Sequence, residues 1–157
     1  AAEATGTATR DAEAMVLGAH GDSMVPVPEH TSVAGVALNA LLSSEELDAL
    51  SDRTRGGGAE IVALLKTGSA WFAPAASAVA MAGAILGDER RLMPSACLLN
   101  GQYGVEGLYM GVPAVLGARG VEAIVELPLT AEARIQMQKT AGAIAGDLDT
   151  LRDAGLL

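Results

Sequence analysis

The sequence predicts an α+β domain, an antiparallel sheet with helices packed against it and a long C-terminal helix. Three observations carry this prediction. Strand-like runs occupy residues 91–99, 108–116 and 121–127, joined by the glycine-rich links Asn100-Gly101-Gln102-Tyr103-Gly104 and Gly117-Ala118-Arg119-Gly120, the pattern of an antiparallel meander. Helix-period segments lie between Ser43 and Leu86 and again after Thr130. With 157 residues, half of them hydrophobic, the chain can bury one sizeable core.

Taken in order, residues 1–6 read as the last turns of a helix stopped at Gly6, and the lack of an initiator Met predicts that this helix starts in a longer chain. Residues 12–17 form a run that becomes fully apolar and delivers its end into Gly18-Ala19-His20-Gly21-Asp22. Pro26 and Pro28 limit residues 24–38 to brief strands or edge segments. Ser43 and Glu46 have capping-box spacing, and Leu47, Leu50 and Thr54 step along one helical face toward Gly56-Gly57-Gly58, which is expected to kink or interrupt the helix. The pattern resumes at Ile61, Leu64 and Leu65, breaks at Thr67-Gly68-Ser69, and continues as a small-residue helix over 74–86 with Pro74 in its first turn. Thr130 is placed to cap a final helix whose apolar stripe is Ile135, Ala141, Ile144, Leu148 and Leu151.

Composition removes several classes of function. A net charge of −9 disfavours nucleic acid and anionic membrane as partners. Cys97 is the one cysteine, so neither a disulfide framework nor a thiolate metal cluster is available, and a reducing, cytoplasmic setting fits best. The most apolar stretch, 70–86, is cut by Pro74 and falls short of the ~20 residues that a bilayer span requires. There is no G-x-G-x-x-G opening a βαβ unit and no Walker-type loop.

His20 is the sharpest candidate for chemistry. It stands on a strand-end turn between Gly18 and Gly21, where a side chain can project into a cleft, and imidazole is the group best suited to give or take a proton near neutral pH. A hydrogen-bonded loop histidine is the alternative. Asp22 can orient the ring or cap backbone amides. Ser69 can offer a hydroxyl to a ligand or cap the helix that follows. His30 reads as a solvated histidine matching no metal-pair spacing, Trp71 and Phe72 as core, Cys97 as a small buried hydrophobe, and Arg90-Arg91 as a solvated strand entrance; no metal-ligand set is found.

The segment Gly18-Ala19-His20-Gly21-Asp22-Ser23-Met24-Val25-Pro26 resembles the catalytic-histidine motif of the lactate and malate dehydrogenase superfamily. The stretches 57–62, 68–77 and Tyr109-Met110-Gly111-Val112-Pro113 are similar to the malate dehydrogenases of the lactate-dehydrogenase-like group, and the resemblance runs in order through nearly all of the chain. It implies that residues 1–157 are the catalytic, substrate-binding domain of an NAD-dependent oxidoreductase of the tricarboxylic acid cycle, with the N-terminal Rossmann dinucleotide-binding domain absent from this sequence. His20 would take the hydroxyl proton of malate while hydride passes to NAD, and return it when oxaloacetate is reduced. Ser69 matches a small residue lining the pocket beside substrate and nicotinamide. The residues that contact NAD, the substrate-reading arginines, and the Asp and Arg that serve the histidine and the carboxylate fall outside this sequence, so the chain alone is expected to be inactive. The family associates as homodimers or homotetramers. An L-lactate dehydrogenase domain and a non-catalytic assembly or binding fragment remain the alternatives.

Overall fold

The computed structural model describes residues 1–156. A short helix α1 (Ala2–Thr5) ends at Gly6, whose φ of 66° gives the left-handed stop that the sequence predicted. Two sheets follow. The smaller joins β1 (Ala12–Glu13), β4 (Ser32–Val33) and β5 (Val36–Ala37). The larger has the order β3 (Met24–Pro26), β2 (Val16–Gly18), β7 (Glu106–Gly117) and β6 (Arg91–Asn100), with β8 (Gly120–Ile124) also on β7. All its pairings are antiparallel, and β6, β7 and β8 form the expected meander.

The run at 12–17, read as one strand, is two. β1 and β2 belong to different sheets and part at Ala14-Met15. The backbone NH of Met15 instead donates to the Thr31 hydroxyl, and its carbonyl accepts from Val27.

One face of the β6–β7 ribbon is buried. Cys97 lies opposite Met110 and Ser95 opposite Val112, while Leu92 and Leu98 on the alternate positions are exposed. Leu17, Val25 and Val27 join this face, and Ala84, Ala133, Met137 and Ala141 cover it from the helices α3 (Phe72–Leu86) and α4 (Ala131–Asp153). Full burial of side chains such as Leu17, Met110 and Met137 contributes about 1.5–3 kcal/mol each and fixes how the helices sit on the sheet.

Helix α2 (Ser44–Leu65) begins with the predicted capping box: Ser43 Oγ accepts from the Glu46 NH, and Glu46 Oε2 accepts from the Ser43 NH at 2.8 Å. The Ser43 NH, and the Ser43 hydroxyl donating to the same oxygen, hold the Glu46 carboxyl below its ordinary pKa. Contrary to expectation, α2 runs unbroken through Gly56-Gly57-Gly58. Each glycine costs about 1 kcal/mol relative to alanine in a helix, a cost that cooperative hydrogen bonding through 22 residues can absorb. Arg53 also bridges the weak segment, reaching Glu60 at 3.0 Å and Glu3 of α1 at 2.7 Å, although solvent screens both exposed pairs.

Helix α4 is capped by the Thr130 hydroxyl as predicted, but its buried face differs. Ala133, Met137, Thr140 and Ala141 face the sheet, whereas Ile135 is 66% exposed and Leu151 40%. Ala141 and Ile144 of the expected stripe do pack on the core; the apolar residues alone place the rest imperfectly because one core position is a threonine. Among the described residues no helix is long and apolar enough to cross a membrane. Met137→Ala is expected to lower stability by about 2–5 kcal/mol, and Ile135→Ala by less than about 0.5 kcal/mol, as read by urea unfolding.

Candidate functional site

Strands β2 and β3 pair in the register Val16 to Pro26, Leu17 to Val25 and Gly18 to Met24, so residues 19–23 form the hairpin connection and His20 stands near its start. The turn is closed by the Met24 NH, which donates to the Gly21 carbonyl at 3.0 Å. Gly18 and Gly21 have φ of 87° and 93°, where a side chain would be strained. At Gly18 space is limiting too, since a Cβ would meet Thr140 Cγ2 at 3.2 Å and Val25 Cγ2 at 3.3 Å.

The single β2–β7 register pair is Gly18 with Gly111. A Cβ on Gly111 would stand 2.8 Å from the Gly18 carbonyl oxygen, closer than van der Waals contact permits. The absence of a side chain at Gly111 therefore lets the strand that carries His20 lie against the centre of the meander.

His20 is exposed and opens onto a cleft of about 230 Å³. Ala19, Met24, Pro94, Ser95, Ala96 and Gly111 line it, with no charged side chain. Among the described residues no side chain hydrogen-bonds to the imidazole, and Asp22, though two residues away and exposed, neither orients the ring nor caps an amide. An accessible imidazole beside uncharged walls has the chemistry to exchange a proton with a small polar ligand.

The other sequence candidates lie outside this cleft. Ser69 is exposed in the α2–α3 connection and is not in the cleft lining; its side chain does not cap α3, which starts after Trp71 without a side-chain cap. Trp71 and Phe72, expected in the core, are 59% and 71% exposed and stack on each other with centroids 4.0 Å apart. His30, expected to be solvated, is half-buried and makes an exposed contact from Nε2 to the Pro128 carbonyl at 2.7 Å. Arg90 pairs with Glu122 at 3.4 Å. Cys97 is buried as expected.

A larger hollow, about 610 Å³, lies between Tyr103 and Arg134 and shares no lining residue with the His20 cleft. Its polar groups largely satisfy one another: Glu126 accepts from the Tyr103 NH, and Gln138 donates to the Tyr103 carbonyl. Burial holds the Tyr103 phenol above its ordinary pKa.

Sequence reasoning did not single out Gly111 or Thr140 for the site. Gly111 stands in a strand-like run, where a glycine signals close backbone approach; nothing in one dimension links Thr140 to a turn 117 residues away.

An exposed histidine on a glycine turn beside an uncharged cleft, carried by an antiparallel sheet backed by helices, defines the class as an α/β domain with one candidate site on that turn. Residues 1–153 match the lactate/malate dehydrogenase, alpha/beta C-terminal domain, and the chain belongs to that family. It is 54% identical over 142 residues to malate dehydrogenase 1 of Anaeromyxobacter dehalogenans, an alignment covering 90% of this chain and 46% of that protein. The structure superposes on malate dehydrogenase from Salinibacter ruber with a TM-score of 0.92 at 42% identity, covering 98% of this chain and 51% of the other. Lactate dehydrogenase from Cryptosporidium parvum, solved with lactic acid and nicotinamide adenine dinucleotide, gives 0.87 at 40% identity, with coverage of 94% and 49%. The chain thus spans about half the length of the relatives it matches.

Burial raises the Cys97 thiol above its usual pKa and removes it from solvent, leaving it 3% exposed. The thiolate is the reactive form, so raising the pKa suppresses reaction at mildly alkaline pH. Iodoacetamide at pH 8 is expected to label Cys97 at least tenfold more slowly in the native protein than in urea, as followed by peptide mass spectrometry.

Proposed function

We propose that this chain is the catalytic half of an NAD-dependent malate dehydrogenase, with His20 as the proton carrier. The observation that carries the reading is the exposed imidazole on the 18–24 hairpin beside an uncharged cleft. The choice of malate is supported by several relatives bearing the name malate dehydrogenase at 48–54% identity.

The cleft suits a small hydroxy acid and the nicotinamide end of the cofactor. Its lining has no Lys or Arg side chain to hold a pyrophosphate, so we assign the cofactor's phosphates and the substrate's carboxylates to a Rossmann domain in the other half of the protein. When bound, NAD supplies the hydride acceptor. The His20 ring nitrogen accepts the hydroxyl proton of malate as the carbinol carbon loses hydride, and donates it back to the carbonyl oxygen of oxaloacetate in reverse. Ser69 is assigned a ligand-facing role only once the other half closes over the α2–α3 connection.

The same reading has the 157-residue chain inactive alone, the complete enzyme cytoplasmic, and its assembly a homodimer or homotetramer. Exposed Leu64, Trp71, Phe72 and Val79 support a covering partner, because apolar patches of this kind mark interfaces. In the full-length protein, oxaloacetate is expected to support NADH oxidation far better than pyruvate, and His20→Asn to reduce turnover by about 10²–10⁴-fold without unfolding. A preference for pyruvate would reassign the substrate to lactate, and unchanged turnover in H20N would overturn the proton-carrier role.

A further inference from the structure

We propose that Thr140 is a positioning residue for His20, holding the histidine turn in its working place from the far side of the sheet. The inference rests on reading His20 as the proton carrier.

The hydroxyls of the helices show what is unusual about Thr140. Thr5, Ser51, Thr54 and Thr150 each donate to a carbonyl three or four residues back on the same helix, the ordinary resting place for such a group. Thr140, 2% exposed, leaves its own helix and donates to the Ser23 carbonyl, 117 residues away, at 2.5 Å. Ser23 lies in the hairpin connection that carries His20.

The methyl of the same side chain does a second job. Thr140 Cγ2 occupies the space that a Cβ at Gly18 would enter, 3.2 Å away. One residue therefore touches the turn on both sides of His20, by a hydrogen bond after it and by packing before it. Its own position is fixed, because Met137 and Ala141 beside it on α4 are buried in the core. From α2, Arg55 Nε donates to the next carbonyl, Met24, at 3.4 Å, so two helices hold consecutive carbonyls of one turn.

The consequence is positional. The imidazole makes no hydrogen bond to another side chain among the described residues, so its place depends on how well the backbone beneath it is held. A reacting group displaced by about 1 Å can lose up to about 10²-fold in rate.

The test uses the full-length protein with four forms: wild type, T140V, T140S and H20N. T140V keeps the shape and removes the donor; T140S keeps the donor. T140V is expected to lower kcat for oxaloacetate reduction about tenfold with KM changed by less than about twofold, the split expected when orientation and not binding is lost. T140S is expected to recover kcat to within about threefold of wild type. Amide hydrogen exchange is expected to rise in T140V at residues 21–24 and to stay unchanged along the rest of α4. Wild-type kcat in T140V, failure of T140S to recover, or faster exchange spread through α4 would each overturn the positioning role. H20N as active as wild type would instead overturn the reading of His20, and the role of Thr140 with it, so the two failures are distinguishable.

Discussion

Everything near the site depends on two backbones coming closer than any side chain allows. Gly18 of β2 and Gly111 of β7 meet at the only register pair joining those strands, and a single methyl on Gly111 would fall 2.8 Å from the Gly18 oxygen. The His20 hairpin is thereby attached to the middle of a long β6–β7 ribbon rather than to a flexible edge. The ribbon is stiffened in turn by α3 and α4 on its buried face. A functional turn placed on such a scaffold keeps its geometry because the elements beneath it can move only at the cost of the core.

The turn itself is a compromise between freedom and restraint. Gly18 and Gly21 give the chain conformations that other residues resist, yet glycine also enlarges the set of unfolded and misplaced states. The restraint comes from the packing around it: Thr140 and Val25 both crowd the Cβ position of Gly18, Thr140 also bonds to Ser23, and the Met24 NH closes back on Gly21. His20 itself is left with no partner side chain among the described residues, a state that suits the proton-carrier role proposed for it.

Much of this was legible in the chain. The glycine turn with His20, the meander, the Ser43–Glu46 capping box and the Thr130 cap all rest on local chemistry within a few residues, and the structure has each of them. What was illegible depended on distant partners. Trp71 and Phe72 have core composition but an exposed place, and Ile135 has the right residue type on the wrong face of α4 while Thr140 takes a buried position. Gly56-Gly57-Gly58 predicted a break that helix cooperativity overrode. The run at 12–17 divides because Met15 bonds to Thr31 and Val27, which periodicity cannot reveal. The place of His20 on its turn was legible from type and setting; the contacts that hold the turn came only with the third dimension.

The most direct test of this account is Gly111→Ala in the full-length protein. The account predicts that the added methyl pushes β7 and β2 apart and displaces the His20 turn, so that kcat for oxaloacetate reduction falls by at least tenfold, up to about 10²-fold, while the far-UV circular dichroism spectrum stays that of a folded protein. A folded G111A variant with wild-type kcat would contradict the claim that the glycine contact sets the position of the histidine.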